Sequence, residues 1–196
     1  MEIADACNQK AEFLLVGCEA VKERDAMSEL WHVIVKYCQV TPLDAFVLPI
    51  RGLFLIAVKN NLQDILTKIK QTADDNLFTF RICRKITPLE RVVKSTLDEM
   101  MEILPEFLLR VPEDKKWRIT VNRRHTLLKK YDIIKAIAEH PFAPKGKVDL
   151  ENPDWDIIIE VFGEWLGFSV MPTSPIIYLP EDKETLVDHD EEDDLF

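Results

Sequence analysis

Glycine is scarce here: 196 residues contain five, and no Gly-rich turn follows a strand candidate. That excludes a phosphate-cradling loop and a dinucleotide fingerprint, and neither Gly-x-Ser-x-Gly nor His-Glu-x-x-His occurs. Long apolar runs are missing too. The richest, "FVLPIRGLFLIAV", is broken by Pro49 and Arg51 and is too short to span a bilayer, so no membrane partner is expected. The first 25 residues place acid before a short apolar run, which is not the pattern of a signal peptide. Cys7, Cys18, Cys38 and Cys83 form no C-x-x-C pair and have no histidine at zinc-ligand spacing. They read as reduced structural thiols in a reducing, cytoplasmic compartment, with no metal and no cofactor expected.

Base is absent from one stretch and concentrated in another. Residues 148–180 hold no Lys or Arg against 6 acids, and residues 181–196 hold 1 against 9. Residues 81–147 carry 16 Lys/Arg against 9 Asp/Glu, inside a chain of formal charge −10. A polyanion responds to potential within about 10 Å, so the basic middle matters more than the total.

The hydrophobic periods give the architecture. "EFLLVGC" reads as a buried strand, and Met27, Leu30, Trp31, Ile34, Val35 and Cys38 as a helix stripe. "DAFVLPI" and "LFLIAVK" read as a hairpin around Arg51-Gly52. A second helix carries Leu62, Ile65, Leu66 and Ile69, and "LFTFRICRKI" is a fourth strand. This β-α-β-β-α-β order over residues 12–87 is the ferredoxin-like arrangement of an α+β protein.

Thr87-Pro88 is then expected to cap a long helix with Glu90 at its third position, ending at Pro105. A strand over 116–124, a helix over about 130–140, a short strand "VDL", a turn at Asn152-Pro153 and strands "WDIIIEVFG" and "WLGFSVM" follow. Along 116–124, Trp117, Ile119 and Val121 should face the core, and Arg118, Thr120, Asn122 and Arg124 should face outward. Residues 180–196 read as a disordered acidic tail.

Arg118, Arg123, Arg124, His125, Lys129, Lys130, Lys135, Lys145 and Lys147 fall within thirty residues. Clustered cations displace condensed counterions from phosphates, which non-specific nucleic-acid affinity requires. Asn122 and His125 are suited to a 2′-hydroxyl or a base edge. A plain solvated face is the alternative. Glu160 and Glu164 are an acid–base pair on paper, but solvated or structural carboxylates are far commoner. Trp155, Trp165 and Phe168, in a stretch without base, read as core.

Three pieces carry a resemblance: "PLERVVKSTLDEM", "WRITVNRRHT" and "KGKVDLENPDWDIIIEVFGEWLGFSV". Residues 88–171 resemble the THUMP domain of tRNA-modifying enzymes, here preceded by a ferredoxin-like domain, and the resemblance covers residues 12–172. With 25 residues after Met171 in this sequence, the catalytic module that THUMP enzymes carry is not expected here. The chain therefore resembles the stand-alone THUMP proteins that present tRNA to a separate acetyltransferase forming 4-acetylcytidine. The resemblance implies a non-catalytic adaptor that grips the tRNA acceptor stem and 3′ end. Arg118, Asn122, Arg123, Arg124, His125, Lys129, Lys130, Lys145 and Lys147 would contact RNA, Arg81, Arg84 and Lys85 would extend the groove, and Gly146, Asn152 and Pro153 would shape the loop. A self-sufficient RNA-modifying enzyme and a protein–protein module are the competing readings.

Overall fold

The computed structural model describes residues 1–59, 62–173 and 175–179. A short helix α1 (Ile3–Asn8) precedes β1 (Glu12–Cys18), and α2 (Glu23–Val33) runs into a π-helical turn (Ile34–Cys38). Next come β2 (Asp44–Val47), β3 (Leu53–Val58), α3 (Leu62–Asp74) and β4 (Cys83–Leu89). After β5 (Arg91–Lys94) follow α4 (Leu97–Leu108), β6 (Trp117–Arg124), α5 (Lys130–Ala138), β7 (Trp155–Phe162), β8 (Trp165–Pro172) and β9 (Ile177–Tyr178).

Two sheets result. The first has the order β2-β3-β1-β4-β9, so β1 sits between its antiparallel partners β3 and β4, as a split β-α-β arrangement requires. The second has the order β5-β8-β7-β6, with β6 and β7 parallel and β7 and β8 antiparallel. Ala26 and Leu30 of α2 and Ile34 of the π-helical turn, with Ile65 and Ile69 of α3, pack on Leu14, Val16, Phe54 and Ile56 of the first sheet. Met100, Leu104, Ile133 and Ile137 of α4 and α5 pack on Trp117, Val121, Ile157 and Ile159 of the second. A third cluster joins the sheets, with Phe13, Leu15, Leu55 and Leu89 meeting Val92 and Phe162. Because β3 is covered on both faces, it reads as a continuous apolar run rather than an alternation. The hairpin tip uses Gly52 at φ 74°, where a Cβ would also lie 2.8 Å from the Cys18 carbonyl oxygen.

The structure corrects the sequence reading between residues 77 and 105. The fourth strand covers Cys83–Leu89 rather than 77–86, and Thr87, Pro88 and Leu89 are strand residues. Tertiary packing decides this. Along its whole length β1 needs a partner on the edge away from β3, and Leu14 pairs with Pro88 while Phe13 pairs with Leu89. Pro88 lies beyond the two-residue pairing of β9 with Lys85 and Ile86, so its missing N–H costs no ladder bond on that side. Val92 and Val93, which fall within the helix expected from Pro88 to Pro105, lie in β5. The helix starts one cap later, where the Thr96 hydroxyl accepts a hydrogen bond from the Glu99 amide at 3.2 Å. Pro105 sits inside α4 instead of ending it. "VDL" reduces to one parallel bridge between Val148 and Trp117. Helix α1 and strand β9 have no counterpart in the sequence reading, and the acidic-tail reading falls outside the described residues.

Candidate nucleic-acid interface

Strand β6 is an edge strand, and its alternation sorts the side chains as the sequence suggests. Trp117 and Val121 are buried and Ile119 packs against the helix-side core, while Arg118, Thr120, Asn122 and Arg124 are half-buried on the other face. That face is not simply cationic. The Arg118 guanidinium makes two hydrogen bonds to the Asp156 carboxylate, and a third Arg118 N–H donates to the Leu150 carbonyl. Asn122 Nδ2 donates to Glu160 Oε1 at 2.8 Å, and Arg124 Nη1 donates to Glu160 Oε2 at 2.9 Å. Asp156 and Glu160 are only 2% and 1% exposed, so the ladder neutralises both arginines from below. The hydrogen bonding that Arg118 donates to Asp156 holds the Arg118 pKa above its usual value.

The parallel register explains the ladder. Arg118 lies opposite Asp156 and Asn122 opposite Glu160, each 38 residues apart in sequence. Two basic or amide residues four apart on β6 therefore meet two acids four apart on β7. That matched spacing is visible in the sequence, but the parallel pairing that gives it meaning is not.

The remaining candidates separate into groups. At the C-terminal end of β6, His125 takes φ 54° and turns the chain into the loop leading to α5. Lys129 and Lys130 are exposed there, and among the described residues no carboxylate lies within ion-pair distance of either. The exposed Leu127 (99%) and Tyr131 (70%) flank them, an apolar and aromatic accompaniment that counting charges misses. A hollow of about 660 Å³ adjoins the loop, lined by His125, Thr126, Leu127 and Leu128 with Lys94, Ser95, Thr96 and the Gly163-Glu164 turn. Arg123 is exposed on the helix side, where its guanidinium donates to the Leu128 carbonyl and ties the loop.

At the opposite end lie Lys145, Gly146 and Lys147, about 23 Å from the first loop at 3.3 Å per strand residue. Lys145 pairs with Glu113 at 2.6 Å. The Gly146 carbonyl accepts the Trp117 indole N–H at 2.8 Å, and a Cβ on Gly146 would fall 1.8 Å from the Lys115 carbonyl oxygen. Asp149 accepts the Asn152 amide and pairs with Lys116, and its carboxyl is held down at about 2, chiefly by the Asn152 amide. Asn152 is exposed and Pro153 buried in this turn.

From the first sheet, Lys85 shares a face with Thr87 and Leu89 toward the second sheet, and its ammonium stands over the Tyr178 ring at 5.5 Å. Tyr178 also lies within electrostatic reach of Arg118. Arg84 is turned toward the chain that follows β1, bonding the Arg81 carbonyl and lying 3.9 Å from Glu19, and Arg81 is exposed beside it. The four described cysteines are free thiols, and burial pushes Cys7, Cys18 and Cys38 up to about 11. Glu164 pairs with Lys94, whose ammonium stands 3.9 Å over Trp165, so that aromatic meets a base brought by β5. Phe168 is fully buried. Among the described residues no helix is long and apolar enough to cross a membrane.

Residues 94–171 match the THUMP domain family. No curated protein matches the chain significantly. Among solved structures the fold is similar to that of PH1313 from Pyrococcus horikoshii Ot3, with a TM-score of 0.61 and 17% identity over 86% of this chain and 55% of that one. It is also similar to TrmN from Thermus thermophilus, with a TM-score of 0.53 and 15% identity over 81% of this chain and 45% of that one. These identities establish likeness of fold, and the chain spans about half the length of each structure. The matched residues 94–171 run from the last residue of β5 through α4, β6, α5 and β7 into β8, so the match falls on the second sheet and its helices.

Proposed function

We propose that this chain is a tRNA-binding adaptor that holds tRNA by its acceptor stem and 3′ end for a separate modifying enzyme in the cytoplasm. One observation carries the RNA-binding part: within the THUMP domain, the end of β6 presents Lys129 and Lys130, unneutralised among the described residues, beside the exposed Tyr131 and an open hollow. Cations seat phosphates, and an exposed ring offers a stacking surface to an unpaired base. The adaptor role, and an acetyltransferase forming 4-acetylcytidine as the partner, are supported by the resemblance of residues 12–172 to stand-alone THUMP proteins.

Binding of a tRNA transcript with an intact 3′ end, followed by fluorescence anisotropy across a salt series, tests the first part. Affinity is expected to fall steeply with salt, with a slope of roughly −0.7 to −0.9 per phosphate neutralised. A slope near zero, or no binding at low salt, rejects it. Nucleoside mass spectrometry after incubation with ATP and acetyl-CoA tests the second. The chain alone is expected to leave the tRNA unchanged, and modification by the purified chain rejects the adaptor role.

A further inference from the structure

Glu160 is a buried carboxylate with two polar clients. One oxygen takes Asn122 Nδ2 and the other takes Arg124 Nη1, so a single carboxylate aligns both side chains on one open face of an edge strand. The arrangement fixes what each presents outward. A carboxylate repels an amide oxygen, so Asn122 must give Glu160 its NH₂ and keep its Oδ1 acceptor for another group. Arg124 commits one N–H and retains further donors on Nε and Nη2, for which no described residue supplies an acceptor. The face thus offers an acceptor and donors side by side, with no net charge, because Glu160 cancels Arg124.

That combination fits a poor phosphate site but a good hydroxyl site. A phosphate oxygen would meet the Asn122 acceptor and a neutralised arginine. A hydroxyl donates its hydrogen to Asn122 Oδ1 and accepts from Arg124. The hydroxyl that a folded RNA displays repeatedly, and that DNA lacks, is the ribose 2′-OH. On the reading that the THUMP domain binds RNA, we infer that Asn122 and Arg124, positioned by Glu160, read a ribose 2′-hydroxyl. They confer preference for RNA over DNA, while the lysines at the end of β6 supply the salt-dependent affinity.

The test compares an acceptor-stem minihelix with a single-stranded 3′ end, in all-ribose and all-deoxy form, at one fixed salt concentration. Wild-type protein is expected to prefer the ribose form by roughly five- to tenfold, the worth of one or two hydrogen bonds. Asn122→Ala, which leaves the Arg124–Glu160 pair in place, should bring that preference close to one and leave the salt slope unchanged. Lys129→Ala with Lys130→Ala should do the reverse. If wild type binds both minihelices equally, or if Asn122→Ala keeps the full preference, the inference is overturned while RNA binding stands. If wild type binds neither, the RNA-binding reading itself falls. The wild-type comparison needs no variant to fold.

Discussion

At the scale of single residues, the sequence shows which side chains carry charge but not which are already taken. Arg118 and Arg124 sit on the expected face of β6, yet each answers a buried acid on β7. Substituting glutamate at either position would set a second carboxylate against one that is almost fully buried. A failure of such a variant to bind RNA would therefore report unfolding as readily as the removal of a phosphate ligand. Gly146 shows the opposite case, a residue legible for its type and explained by its surroundings. Its Cα faces the Lys115 carbonyl so closely that a Cβ would lie 1.8 Å from that oxygen, and backbone cannot yield as a flexible side chain does. Gly146→Ala should therefore lower stability by about 1–3 kcal/mol, the cost of overpacking. The Trp117 indole would lose its acceptor as the loop shifts. Thermal denaturation gives the first quantity and the Trp117 Nε1–H NMR signal the second. An unshifted signal with unchanged stability would show that the loop is not held there.

At the scale of elements, periodicity reads well wherever one element packs against one layer. The stripes of α2 and α3 and the hairpin of β2 and β3 follow from their own residues. It fails between Cys83 and Lys94, where "ITPLERVVK" satisfies both a capped helix and two strands. Thr-Pro ahead of a Glu is a sound start signal, but the second edge of β1 needs hydrogen bonds more than this segment needs a helix. The helix and the strand make different demands on two threonines. Thr96→Ala should cost about 1 kcal/mol through loss of the cap to Glu99. Thr87 is 2% exposed in β4, so Thr87→Val, which keeps size and suits a strand, should be tolerated. Urea denaturation of both variants discriminates. A large loss from Thr87→Val with none from Thr96→Ala would return the helix to its expected start.

At the scale of the whole molecule, charge is organised by strand ends rather than by segment. The basic middle of the sequence includes a β6 face neutralised by buried acid, a lysine pair without ion-pair partners at its C-terminal end and, about 23 Å away, the paired Lys145 beside the exposed Lys147, for which no described carboxylate lies within ion-pair distance. Net charge by segment cannot reveal this, because Asp156 and Glu160 belong to the stretch that contains no base. A polyanion approaching a chain of charge −10 is repelled at long range and attracted only where cations lack a nearby acid. Lysines with and without a nearby carboxylate should therefore contribute unequally to RNA affinity. Lys129→Ala with Lys130→Ala is expected to reduce the salt slope by roughly 0.7 to 0.9 for each phosphate no longer neutralised. Lys145→Ala removes a cation that Glu113 already offsets at 2.6 Å, so its slope should stay close to that of wild type. Anisotropy titrations of the three proteins against one tRNA transcript, across a salt series, measure the difference. Equal slopes for the two variants would mean that carboxylates on this surface do not screen their lysines from RNA, and the interface would then extend along the full length of β6.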